Sequence, residues 1–302
     1  MNNKIIIAVI VIAIIGVSAG AYLLLPSSTG NGLLPSGNAP DWDITVTGDG
    51  ATTTVVSVSD MTEMPLTNVT HTIKDETATY VGVLLTDFCE LSGVNWYAGT
   101  VEVCASDGYS KTVNLYQAWN STQYPEELMI LAFVKDGEYM TEETGGPVQL
   151  IAPSLVSQYQ IKNVAELNIG LWTIQVSGDV STPMNITGLD LTNFETKTVE
   201  LAFAPGGDPQ RTSNWTGIDL WSVLESAGVS DAATTIKITA IDGYSREYDI
   251  TQAQDYGMLL GYMENDEYLT FAGGRAFRLF MEDPEMKWGQ YWVRWVVEVE
   301  VY

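Results

Sequence analysis

The sequence predicts a strand-dominated α+β protein: two tandem copies of one unit, preceded by an N-terminal transmembrane helix. Three observations carry this prediction. The stretch 80–110 recurs without gaps 135 positions later, each copy sets short apolar-alternating runs around an amphipathic helix, and the chain opens on 21 residues without a charge, from Ile5 to Leu25.

That opening stretch is long enough to cross a bilayer as a helix. Lys4 and the terminal amine are the only positive charges before it, so the tail is expected in the cytoplasm and the body outside. A cleaved signal peptide ending at Ala19-Gly20-Ala21 is the alternative, though the apolar run continues through Leu23, Leu24 and Leu25. Residues 26–41 are rich in Pro, Gly, Ser and Asn and read as a flexible linker. The N-x-[ST] positions Asn68, Asn120, Asn185 and Asn214 are glycosylation candidates that suit an external body.

The duplication assigns residues 42–169 to copy 1 and 170–302 to copy 2. Between 80–110 and 215–245, twelve of 31 positions are identical, Gly82/Gly217, Leu85/Leu220, Glu90/Glu225 and Gly93/Gly228 among them. Unrelated chains would share about two. In each copy, "WDITVTGD" or "WTIQVSGD" alternates like a half-buried strand before a Gly-Asp turn. Leu84, Phe88 and Leu91 then fall on one helix face, and Gly93 and Gly228 stand where a left-handed C-cap belongs. Strands "TVEVCAS" and "TIKITAI" lead to a repeated DGYS. Hairpins are predicted at Asp136-Gly137 and Asn265-Asp266, and each copy ends on a β-rich run.

In DGYS, Asp107 and Asp242 suit turn-capping through backbone amides, Gly108 and Gly243 allow unusual dihedrals, and Tyr109 and Tyr244 can pack a ring while bonding through the hydroxyl. These are scaffold turns, because an acid/base pair has no reason to persist in both members of a duplication.

The ordered set G-x-x-L-x-x-x-L-x-x-x-G-V, strand, DGY, hairpin, G-G-x-x-x-L and [KR]-x-V-x-x-[IV]-x-[IV], present twice, resembles the oxidoreductase molybdopterin-binding domain of sulfite oxidase-like enzymes. The resemblance implies a molybdenum or tungsten held by a dithiolene pterin plus one cysteine thiolate in the loop before the helix. Here the loops read "NVTHTIKDETATY" and "LAFAPGGDPQRTSNW", with Phe203 and Ala204 near the expected ligand position and no Cys. Phe and Ala offer a metal no lone pair. Arg211 lies near the right loop, and Lys162 and Arg294 match the family's cation before the final strands; these three are the residues that would hold a pterin if one binds.

The cysteines sit elsewhere. Cys89 aligns with Leu224 and Cys104 with Thr239, so neither belongs to a duplicated function. Buried apolar thiols or a Cys89–Cys104 disulfide remain open. His71 is the sole histidine, which excludes zinc sites with two His ligands. With 13 Lys plus Arg against 38 Asp plus Glu and a net charge of −25, the chain does not suit nucleic acid. "MKWGQYWVRW" concentrates Trp288, Trp292 and Trp295 among basic residues: either strand core or an exposed partner patch.

The expected function is therefore a single-pass, externally displayed binding or surface module with two degenerate domains, no cofactor and an unknown extracytoplasmic ligand. A divergent molybdopterin-dependent oxidoreductase and a structural surface protein are the alternatives.

Overall fold

Strand pairing in the computed structural model, which describes residues 32–93, 95–204, 211–282 and 288–302, gives both copies one topology. Copy 1 contains β1 (Asp43–Gly48), β2 (Thr54–Ser57), β3 (Leu66–Ile73), β4 (Glu76–Leu84), β5 (Ala98–Ala105), β6 (Ser110–Asn114), β7 (Ile130–Lys135), β8 (Glu138–Tyr139), β9 (Gln149–Ile151) and β10 (Val164–Leu171). Its helices are α1 (Val58–Met61), α2 (Leu85–Leu91) and α3 (Leu115–Ser121). Copy 2 contains β11 (Ile174–Gly178), β12 (Met184–Ile186), β13 (Thr196–Phe203), β14 (Arg211–Asp219), β15 (Thr235–Ala240), β16 (Ser245–Asp249), β17 (Met258–Glu264), β18 (Glu267–Tyr268), β19 (Arg278–Met281) and β20 (Val296–Val301), with α4 (Leu220–Ala227) and α5 (Ile250–Asp255).

Each copy forms two five-stranded sheets. In copy 1 these run β2-β1-β10-β5-β6 and β3-β4-β7-β8 with β9 on β7; in copy 2, β12-β11-β20-β15-β16 and β13-β14-β17-β18 with β19 on β17. The first and last strands of each copy pair in parallel, which closes the unit on itself. The Trp42 indole donates to Val164 O at 2.6 Å and Trp172 to Val296 O at 2.7 Å, so one tryptophan ties the two ends of each copy.

The repeated glycines have local causes. A Cβ on Gly82 would lie 2.0 Å from Leu131 O, and one on Gly217 would lie 2.7 Å from Gly261 Cα. Both mark the bulge where the helix-bearing strand shifts register against its neighbour. Gly228 caps α4 in the left-handed conformation, and Gly93 follows α2 at φ 78°. The hairpins turn at Asp136-Gly137 and Asn265-Asp266 with positive φ at both residues, the primed geometry that matches strand twist.

Between the sheets lie the main cores: Val81, Val83, Phe88, Leu131 and Phe133 in copy 1, and Ile218, Leu224, Leu260, Phe277 and Leu279 in copy 2. The outer face of the helix-bearing sheet differs between copies. It is chiefly aliphatic in copy 1 and holds Phe203, Trp215, Phe280 and Trp292 in copy 2. Leu33, Leu34 and Ala39 pack against the first core, so the described end of the expected linker is not free chain. Among the described residues no helix is long and apolar enough to cross a membrane; Ile5 to Leu25 lies outside them.

Candidate anion site in the second copy

Strand alternation places Leu279 in the inner core and its neighbours Arg278 and Phe280 on the outer, aromatic face of β19. Arg278 is only 5% exposed. Its guanidinium carbon lies 4.5 Å from the centre of Phe203, 5.6 Å from Trp292 and 6.0 Å from both Trp215 and Phe280. One Nη donates to Gly273 O at 3.1 Å, whereas Nε is buried without a partner among the described residues, as is the Trp215 indole nitrogen. Arg278 makes no ion pair among the described residues. Burial, followed by the neighbouring Arg294, pushes its pKa down to about 9; Arg211 pushes the same way and Glu264 opposes. A buried cation without a counter-ion is costly, and the aromatic faces offset only part of that cost.

Two further arginines stand at the rim. Arg294 is exposed, donates to Ala272 O at 3.2 Å and lies 4.5 Å over Trp295. Gly274, at φ 105°, separates it from Arg278: a Cβ there would meet Arg294 Cβ and Cγ at 3.1 Å and Arg278 Cβ at 3.2 Å. Arg211 pairs with Glu264 at 3.1 Å and faces Phe203 at 5.7 Å. Beside Arg294 opens a cleft of about 310 Å³, bordered also by Asp242, Tyr244, Gln290, Trp292 and Trp295. Trp292 thus borders both the cleft and Arg278. A larger open groove of about 510 Å³ beside α4 and α5 includes Glu225 and Asp231 in its lining and no cation, so it offers an anion nothing.

Copy 1 lacks this arrangement. Strand register sets Gln149 at the place of Arg278, since Leu150 pairs with Leu131 as Leu279 pairs with Leu260. Gln149 is buried and neutral, and Lys162, the counterpart of Arg294, is exposed. Where copy 2 pairs Arg211 with Glu264, copy 1 pairs Glu76 with Lys135 at 2.6 Å, the same cross-strand pair with its charges reversed.

Of the pterin candidates, Arg211 and Arg294 both act on the charge of Arg278, only Arg294 borders the cleft, and Lys162 belongs to the other copy. Sequence reasoning missed Arg278. Its signal was a charged residue inside the buried run "RLFM", masked because "GGRAFRL" is one residue longer than "GGPVQL". Trp292 and Trp295 are buried at 2% and 9% exposure and precede β20 instead of lying in it; Trp288 alone of the three is exposed, so they do not form one exposed patch.

In the DGYS turns, the Tyr109 amide donates to Asp107 Oδ1 at 2.9 Å and the Tyr244 amide to Asp242 Oδ1 at 3.0 Å, over Gly108 at φ 89° and Gly243 at φ 87°. The phenols donate to Gln158 O and Gln290 O, while both rings are exposed. Asn68, Asn185 and Asn214 are exposed and Asn120 is half-buried. His71 lies half-buried on β3, and burial lowers its pKa.

Cys89 and Cys104 are free thiols, not a disulfide. Cys89 lies on α2 inside the first core, where burial pushes its pKa up to about 12; Cys104 is on β5 of the same copy, its pKa also raised by burial. Neither is in copy 2, and Phe203 and Ala204 are buried apolar residues there. Unpartnered buried donors beside three guanidiniums fit an anionic group. They do not fit a metal tied to the protein through sulfur.

The family described as oxidoreductase molybdopterin binding domain matches residues 31–171 and 166–302. No curated protein matches the chain. A similar solved structure is the sulfane dehydrogenase SoxCD from Paracoccus pantotrophus, 19% identical over 55% of this chain and 50% of that one, with a TM-score of 0.38. The chain thus spans half the length of that protein. Matched from residue 31 to residue 302 by two successive copies of the family's domain, the chain belongs to the oxidoreductase molybdopterin-binding domain family.

Proposed function

We propose that the protein is a divergent molybdopterin-dependent oxidoreductase in which only copy 2 seats the cofactor, through the anionic portion of the pterin. The observation that carries this reading is Arg278, a buried guanidinium with an unpartnered Nε and no ion pair among the described residues. Arg278 supplies a buried charge behind Trp292, Arg294 adds an exposed charge on the cleft wall, and Arg211 is already engaged by Glu264. Trp292 and Trp295 wall the cleft with apolar surface, which strengthens charge–charge contacts beside it. A bound molybdenum or tungsten pterin would supply two-electron redox chemistry. With Phe203 and Ala204 in the expected ligand position, this chain contributes no thiolate to it.

That missing sulfur favours a second reading, a cofactor-free module binding a soluble oxyanion at the same cleft. One experiment separates the two: metal analysis and native mass spectrometry of the full chain isolated from its own cells. Stoichiometric pterin with molybdenum or tungsten supports the oxidoreductase. Protein that carries neither, yet binds phosphate or molybdate, overturns it in favour of the module. The same proposal places the body outside the membrane, tethered by Ile5 to Leu25; protease added to intact cells should then degrade copies 1 and 2, and protection of both would refute the placement.

A further inference from the structure

We infer that copy 1 acts as a buttress for the cleft of copy 2, with Tyr116 and Trp119 as positioning residues; the functional part of this inference rests on reading that cleft as an anion site. The connecting element is the loop 270–275, between β18 and β19. Three successive carbonyls of this loop aim three side chains of the site. Phe271 O accepts the Trp295 indole at 2.9 Å, Ala272 O accepts Arg294 at 3.2 Å and Gly273 O accepts Arg278 at 3.1 Å. Wherever the loop goes, both guanidiniums and the Trp295 ring follow.

Bonds within the loop tie its two ends together. Gly273 N donates to Thr270 Oγ1 at 3.1 Å, Gly274 N to Phe271 O at 3.0 Å and Arg275 N to Thr270 O at 3.1 Å. Gly273 and Gly274 also add backbone freedom. Part of its outer support comes from the other copy. Tyr116 and Trp119 lie three residues apart on α3, hence on one face, and the Asn114 side chain caps that helix by accepting from the Tyr116 amide at 2.8 Å.

From this face the Tyr116 ring sits 5.4 Å from Phe271 and 5.2 Å from Trp295, and the Trp119 ring sits 6.4 Å from Phe271. The Arg275 guanidinium stacks 4.6 Å over Trp119. Phe271 packs against both main cores and also lies 5.2 Å from Trp295. The loop is thus clamped between α3 of copy 1 and the Trp295 ring of copy 2. The geometry gives copy 1 a role that requires no ligand of its own, consistent with Gln149 standing where copy 2 has Arg278.

The test uses the full chain with ¹⁵N-labelled tryptophan. In Trp119→Leu and Tyr116→Leu, hydrogen exchange of the Trp295 indole should quicken by about tenfold, the scale on which loss of one aromatic or cation–π contact registers. Exchange of the Trp172 indole, bonded to Val296 O within copy 2, should hold. Affinity for inorganic molybdate or phosphate, measured by calorimetry, should fall by a similar factor, and Trp119→Tyr, which keeps an aromatic face, should restore most of both. Unchanged Trp295 exchange overturns the buttress. So does quickened exchange with unchanged affinity, provided Arg278→Gln lowers affinity in the same assay. If Arg278→Gln leaves affinity intact, the anion reading falls instead, and the indole exchange alone decides the buttress.

Discussion

Arg278 and Asp87 are side chains whose charge the fold disfavours. At neutral pH the protonated Arg278 guanidinium bears the penalty of burial, its folded pKa having fallen from the ordinary guanidinium range to about 9. Copy 1 shows that the backbone position accepts a neutral amide, since Gln149 is buried there. Arg278→Gln should therefore leave the unliganded protein as stable as before, or more stable by up to about 2 kcal/mol, while abolishing stabilisation by anions. Thermal unfolding with and without phosphate checks both halves; a loss above about 2 kcal/mol would mean that the charge is paired after all. Asp87, on α2, is pushed up to about 7 by burial first and by Glu90 second, with a Thr86 hydrogen bond opposing. Its folded pKa lies above its unfolded value of 3.8. Between these values the unfolded chain ionises while the folded one stays protonated, so stability falls as pH rises through the window and the penalty is complete above about 7. Asp87→Asn should flatten that slope and add roughly 1–3 kcal/mol at pH 8, read from urea midpoints across pH 4–8.

Single elements show how the duplication kept geometry while exchanging chemistry. The pair Arg211–Glu264 links β14 to β17, and Glu76–Lys135 links β4 to β7 at the same register. A cross-strand pair of this kind contributes about 0.2–1 kcal/mol whichever strand carries the cation. Arg211→Glu alone sets two carboxylates together and should cost about 1 kcal/mol, whereas Arg211→Glu with Glu264→Lys should recover most of it; urea denaturation of the four members of this cycle measures the coupling. Recovery of less than half would show that Arg211 is held by the rings of Phe203 and Trp215 more than by Glu264. These elements were largely legible in the sequence. Period-2 runs marked the strands, Asp136-Gly137 and Asn265-Asp266 marked the hairpins, and Gly93 and Gly228 marked one helix end per copy. The bulges at Gly82 and Gly217 became visible only in the strand register. The site was legible only in part. Arg294 and Arg211 stood out as cations in an acidic chain, but Arg278 was hidden in a strand whose neighbours are all apolar, and its partners come from β13, β14 and the segment before β20. A cage assembled from four separate stretches leaves no local pattern. For Trp292 and Trp295 the sequence left core and partner patch open for the same reason, and the structure buries both: a tryptophan inside a fold and one that meets a partner look alike in one dimension.

At the scale of the molecule, the two copies do not keep separate cores. Trp96 follows α2 in copy 1, yet it is buried with the second core, stacked on Tyr268 at 4.4 Å with planes 7° apart and 5.4 Å from Tyr262. Tyr97 packs against both cores, as Phe271 does from the opposite direction. Each copy thus completes the other's hydrophobic surface with aromatic side chains, and area buried across such a seam is lost if either side opens. The two domains should then unfold together. Trp96→Ala, a substitution in copy 1, should cost about 3–5 kcal/mol and lower the protection of β17 and β18 in copy 2 as well as the global midpoint. Hydrogen exchange followed strand by strand, alongside calorimetry, reads this directly. One cooperative transition with matched protection in β4 and β17 is the expected result. Two resolved transitions, with copy 2 indifferent to Trp96, would mean that the seam is a contact between independent domains, and the aromatic pairs would then orient the copies without stabilising them.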